Sequence, residues 1–145
     1  MIVSIDWLRE FLDIKESPNE LADMLSNSGL EAELTSAPLS LPGVIIGKVE
    51  NTEKHPDADK LKICIVNDGQ KTHQVICGAP NVDSGQLIPF ATVGSILPGN
   101  LKIKKANIRG VESNGMICSE RELNISDEHE GIMVLPNDLP LGKDF

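Results

Sequence analysis

Up to Gly29 the apolar residues recur at helical spacing; from Val44 onward they alternate with polar ones or run in short Val/Ile-rich blocks. Ser4 can cap a short helix over residues 5–12 that carries Trp7, Leu8, Phe11 and Leu12 on one face. Ser17-Pro18-Asn19-Glu20 is a stronger start, with serine at the cap, proline in the first turn and Glu20 placed to reach back to free amides. Leu21, Met24 and Leu25 give that helix its apolar stripe, and Gly29 its stop. The pattern predicts a helical hairpin followed by a short strand over residues 30–34. A lone helix pair cannot bury both faces, so this piece must dock on something.

Two prolines and a glycine across residues 36–43 mark a linker. Beyond it, strands are expected at 44–52, 61–67, 71–77, 86–93 and 102–109, with Asp68-Gly69 joining the second and third as a hairpin. A short helix over 119–123 and a last apolar strand over 132–135 complete the reading. The fold class is therefore mainly β with α: a helical piece at 1–39, then a small five-stranded closed or partly open barrel at 40–145.

Composition changes the picture in one respect. The net charge of −9 argues against a polyanionic partner until it is resolved along the chain. Residues 1–39 hold two cations and eight carboxylates, and residues 110–145 hold the same numbers, so each block is −6. Residues 40–109 hold nine cations against six carboxylates, or +3. Four of those nine, Lys102, Lys104, Lys105 and Arg109, fall within eight residues and lead through Gly110 into the polar, glycine-bearing loop Ser113-Asn114-Gly115-Met116. A cationic strand feeding such a loop can seat a phosphate chain, although lysines also protect solvated sheet edges.

The remaining chemistry is sparse. His55-Pro56-Asp57-Ala58-Asp59-Lys60 reads as a turn; its His and Asp residues are metal-ligand types, but no second cluster with ligand spacing accompanies them. Cys118 beside Ser119 and Glu120 lacks an identifiable base, and buried cysteine as a small hydrophobe is the commoner case. No catalytic residue and no metal site are assigned. Cys64, Cys77 and Cys118 are an odd set without CxxC, which suits free thiols in a reducing compartment. The start lacks a basic signal-peptide region, and no apolar run reaches bilayer length, so a cytoplasmic protein is expected. With one Trp, three Phe and no Tyr, only Phe90 is available in the β region to stack on a base, so phosphate and ribose contacts are expected to dominate.

In order, HPDADKLKICIVNDG, QVICGAPNV, LPG, IKKANIRGVESNGMICSE and GIMVLP closely resemble the tRNA-binding oligonucleotide-fold (OB) domain, over residues 44–135. That domain occurs in free-standing tRNA-binding proteins, in extensions of methionyl-tRNA synthetases and in the bacterial phenylalanyl-tRNA synthetase β chain. MIVSIDWLREFLDI, the SPNELADMLSNSGLEAE helix and CGAPNV resemble the opening of the last of these. The resemblance implies an RNA-contacting face at Lys60, Lys104, Lys105, Arg109, Ser113 and Met116; without it, Met116 reads as core. It also implies a parent α2β2 ligase with an α-subunit partner, using ATP and Mg²⁺ to join phenylalanine to its tRNA, with no cofactor bound in these residues. The helical piece would then be completed by residues beyond 145. Two alternatives stay open: a free-standing tRNA-binding or chaperone module, and a protein-interaction domain that keeps the fold without binding RNA.

Overall fold

A computed structural model describes residues 3–34 and 41–145. The chain divides into two compact units, Met1–Pro38 and Leu39–Phe145. In the first, α1 spans Ile5–Arg9 and α2 spans Pro18–Asn27. The capping box forms as the sequence implies: the Ser17 amide donates to Glu20 Oε2 at 2.8 Å, and the Glu20 amide donates to Ser17 Oγ at 3.4 Å. Beyond α2, Gly29 sits at φ +88°, and the Leu30 amide reaches back to the Leu25 carbonyl at 3.0 Å.

Two expectations here are corrected. α1 stops at Arg9 instead of running to residue 12. Residues 30–34 form no strand, because Ser26 Oγ takes both the amide and the carbonyl of Ala32, at 3.2 and 3.3 Å, and folds the stretch back on the helix end. Trp7 and Phe11 meet edge to face at 5.2 Å, yet both are exposed, as are Leu12, Met24, Leu30 and Leu34, and α2 buries no residue. Residues 35–40, which include most of the predicted linker, lie outside those described.

The second unit comprises β1 (Val44–His55), β2 (Ala58–Asn67), β3 (Thr72–Cys77), β4 (Leu87–Ala91), β5 (Ile96–Leu97), β6 (Leu101–Lys102), β7 (Ala106–Ile108), β8 (Val111–Ser113) and β9 (Met116–Ile117). Five of these form an antiparallel sheet in the order β3-β2-β1-β4-β9, while β5–β6 and β7–β8 are small hairpins. β8 lies along the free edge of β3: Ser113 Oγ accepts from the Ile76 amide at 3.0 Å, and the Asn114 amide donates to the Gln74 carbonyl at 2.8 Å. One residue after Asn114, Gly115 turns the chain so that β9 pairs with β4 at the opposite edge.

Alternate residues of the strands, Cys64 and Val66, Val75 and Cys77, Ile88 and Phe90, point into one core together with Val49, Val82, Ile117 and Ile132. Yet every residue of β4 is buried, on both faces. On the outer side Leu135, Met133, Leu141 and Phe145 pack against Ile46 and Leu87; Leu135 bridges Leu87, and residues 142–145 run beside the start of β1. There the Ile46 amide donates to the Lys143 carbonyl at 2.8 Å, and the Phe145 amide donates to the Val44 carbonyl at 3.1 Å. Ile46, Leu87 and Leu135 form one outer cluster; Val44, Ala91, Leu97, Ile103, Cys118 and Leu123 form another.

Three further expectations are corrected in this unit. The strand predicted over 102–109 breaks into β6 and β7, because Ile103 turns inward and exchanges backbone hydrogen bonds with Gly94 and Ser95 at 2.8 and 2.9 Å. Residues 119–123 make one hydrogen-bonded turn, closed by Leu123 to Ser119 at 3.3 Å, instead of a helix. The strand predicted at 132–135 is reduced to its single bridge. Asn81 serves in place of a neighbouring strand there: its Nδ2 donates to the Ile132 carbonyl and its Oδ1 accepts from the Ile132 amide, both at 2.9 Å.

The β2–β3 turn carries a testable carboxylate–imidazole contact. Asp68 Oδ2 lies 2.6 Å from His73 Nε2, and its Oδ1 accepts from the amides of Gln70 and Lys71 at 2.8 Å each. Burial acts to raise the Asp68 carboxyl, but His73 and the two amides outweigh it and bring it down to about 2. A carboxylate depressed on folding contributes stability above its unfolded value and loses it as pH falls toward the folded one. The urea midpoint is therefore expected to drop between about pH 4 and pH 2, and less steeply in Asp68→Asn. Equal slopes in the two proteins would exclude Asp68 as a source of acid sensitivity.

Candidate nucleic-acid interface

The β1–β2 turn and the β7–β8 hairpin are held together by a buried histidine and an arginine. His55 is 4% exposed; its Nδ1 accepts from the Asp57 amide at 3.1 Å, which leaves Nε2 to donate to the Ile108 carbonyl at 3.0 Å. Arg109 adds a second tie, its Nη1 donating to the Asp57 carbonyl at 2.9 Å. Arg109 holds φ at +50° beside Gly110 at +85°, so the hairpin turns tightly enough to aim the guanidinium back at the β1–β2 turn. The sequence marks His55 only as a turn residue with ligand chemistry. Its structural role has no local signal, because its partner lies 53 residues away.

Lys60 and Lys104 are exposed and make no ion pair among the described residues. Lys105 lies 3.9 Å from Glu112, with side chains 70% and 59% exposed; solvent screens such a pair, and a phosphate can displace the carboxylate at little cost. Ser113 and Met116 sit differently from the lysines. Ser113 is buried with its hydroxyl committed to Ile76 and, at 3.4 Å, to the Gly115 carbonyl; Met116 is partly buried against the cluster of Val44 and Cys118. The structure thus sets Lys60, Lys104, Lys105 and Arg109 on the surface, and Ser113 and Met116 in the strands behind them.

The arrangement bears on which chemistry is open to it. Burial pushes the Cys118 thiol up to about 12, with the Glu122 carboxylate adding to the effect, so it stays protonated and is a poor nucleophile. Cys64 is likewise raised to about 12, by burial first and the neighbouring Cys77 second. Among the described residues no three His, Cys, Asp or Glu side chains gather as metal ligands, and no helix is long and apolar enough to cross a membrane. Phe90 is fully buried under His73, so no base can stack on it. What Lys60, Lys104 and Lys105 offer is exposed cationic side chains, the groups that contact phosphate.

The family described as "Putative tRNA binding domain" matches residues 44–144. A phenylalanine–tRNA ligase beta subunit from Pseudomonas fluorescens is 51% identical over 145 residues, covering 99% of this chain and 18% of that protein. One from Geobacter metallireducens is 48% identical over 143 residues, covering 98% of this chain and again 18% of its own length. The chain thus spans 18% of the length of these curated relatives. Among solved structures, a MetRS related protein from Pyrococcus horikoshii superposes with a TM-score of 0.53 at 24% identity, covering 70% of this chain and 87% of that one. The C-terminal domain of Plasmodium vivax p43 gives 0.51 at 24% identity, covering 70% and 57%. These two likenesses show a shared, OB-like fold.

Proposed function

The chain belongs to the tRNA-binding domain family that matches its residues 44–144, and on that premise we propose that it is the N-terminal part of a phenylalanine–tRNA ligase beta subunit that contacts tRNA without chemistry of its own. The observation that supports this reading is that Lys60, Lys104 and Lys105 are all exposed on the unit that the family model matches, in a chain that is otherwise acidic. Lys60, Lys104, Lys105 and Arg109 meet phosphates. Ser113 and Met116 belong to the same face through their backbone, the Ser113 hydroxyl being taken by Ile76.

In this proposal β8 and β9 close the sheet into a five-stranded barrel, one lying on β3 and the other on β4. The helices pair as a hairpin whose exposed Trp7, Phe11 and Met24 pack on residues beyond 145, so that 1–39 is part of a domain completed elsewhere. Aminoacylation with ATP and Mg²⁺ takes place outside these residues, in a cytoplasmic α2β2 enzyme with an α-subunit partner. The acidic flanks weaken long-range steering toward tRNA, which suits an auxiliary contact.

Fluorescence-anisotropy titration with unmodified tRNA tests the reading. Affinity should fall with salt along a log–log slope of about −3 to −4, as expected for four or five phosphate contacts. Absence of binding even at low salt would sink it and favour a protein-interaction domain.

A further inference from the structure

Beside the basic surface, between the β2–β3 turn and the ends of β4 and β8, lies an open groove of about 410 Å³. It falls within the range of about 300–1,000 Å³ usual for small-ligand sites. Lys71 and Lys105 line it as cations, Thr72 supplies a hydroxyl, Thr92 lines it with its own hydroxyl donating to the Gly43 carbonyl at 2.9 Å, and Val93, 44% exposed, supplies an apolar surface. Asp68 also lines the groove, but its carboxylate is committed to His73 and two backbone amides. Glu112, at 3.9 Å from Lys105, is exposed.

Asn114 adds the informative feature. Its Oδ1 is buried and has no hydrogen-bond partner, the one side-chain polar atom in that state among the described residues. A buried acceptor without a donor is unfavourable, and native structures rarely keep one without a use. A fully ionised phosphate brings no donor to it. A nucleotide brings both requirements: a phosphate for Lys71 and Lys105, and a base N–H or ribose hydroxyl for the amide oxygen, with Val93 against a ring face. In a duplex the base edge is already paired.

We infer that this groove takes one unpaired nucleotide of a bound RNA, with its phosphate between Lys71 and Lys105 and a base or ribose donor at Asn114. The inference rests on the tRNA-binding reading and deepens it, since it gives a largely shape-reading surface one position that senses base identity.

The test is amide-resolved NMR of the 145-residue chain, titrated separately with unmodified tRNA, the four nucleoside 5′-monophosphates and inorganic phosphate. tRNA is expected to shift Thr72, Val93 and both amides of Asn114 as well as Lys104. The monophosphates should shift the groove alone, and phosphate only the surroundings of Lys71 and Lys105. Asn114→Ala should weaken tRNA binding by about threefold to tenfold without lowering the urea midpoint, because it removes an unpaired acceptor from the fold. Lys71→Ala should flatten the salt slope by about one unit. If tRNA shifts Lys104 but leaves Thr72, Val93 and Asn114 unmoved, the nucleotide site is overturned and the basic surface stands. If phosphate alone reproduces every groove shift, the site holds an anion and the inference fails. If tRNA binds nowhere, both readings fall.

Discussion

Lys60→Ala/Lys104→Ala/Lys105→Ala is expected to bind unmodified tRNA at least about 100-fold more weakly than the parent chain at low salt, with a salt slope flatter by about two to three units. Each lysine that neutralises a phosphate releases a counterion, so removing three such contacts lowers both the affinity and its salt sensitivity. These three are the right set because none carries structure: all are exposed, and the nearest partner of any is Glu112 at 3.9 Å from Lys105. Circular dichroism and the urea midpoint should therefore match the parent. Arg109 is left out deliberately. Its bond to the Asp57 carbonyl ties the β7–β8 hairpin to the β1–β2 turn, so Arg109→Ala alters geometry as well as charge. A triple variant that binds tRNA as tightly as the parent would remove the basic surface from the account of function.

Gly115→Ala is expected to cost roughly 3–5 kcal/mol, combining left-handed backbone strain with overpacking. Gly115 sits at φ +138°, and a Cβ there would stand 2.5 Å from Phe90 Cε2 and 2.8 Å from the Ala91 carbonyl oxygen. Neither neighbour can yield. Ala91 is held by its pairing with Met116, and Phe90 is fully buried with its own Cβ pressed against Gly47, where a Cβ would come within 2.9 Å. Against a total stability of about 5–15 kcal/mol, such a loss brings the domain close to unfolding at ordinary temperature. The effect should reach function too, because Gly115 joins the segment on β3 to the segment on β4 and so supports the surface that carries Lys104 and Lys105. Urea denaturation read by far-UV circular dichroism measures it, and a loss below about 1 kcal/mol would show that Phe90 can move aside.

Net charge alone argues against the proposed partner. At −9 the chain looks ill suited to RNA, yet Lys60, Lys104 and Lys105 stand on one unit, with their nearby acids either exposed, as Glu112 is, or committed, as Asp68 is to His73. In the proposed binding, contact at short range depends on that local surface, while the acidic remainder acts mainly on encounter at a distance and is screened within about 10 Å at 0.1 M salt.

What the sequence by itself determined is local in origin. Ser17 and Glu20 close their capping box within one turn, Asp68-Gly69 reverses the chain between β2 and β3, and alternation of Val and Ile selects the inward face of each strand. The resemblance read from the motifs between residues 44 and 135 was also legible, and the family model matches residues 44–144. Tertiary structure alone decided the rest. It buried Phe90, which the sequence had left open to a base, and buried the other face of β4 by packing Leu135, Met133, Leu141 and Phe145 against Leu87 and Ile46. It broke the basic strand at Ile103, committed the Ser113 hydroxyl to Ile76, and made His55 and Arg109 a clamp between two turns that are distant in the chain. Periodicity and turn chemistry act over two to four residues, and there the chain states its own preference. Each of the other outcomes depends on which distant segment arrives beside a residue once the sheet forms, and that is set by packing of the whole core.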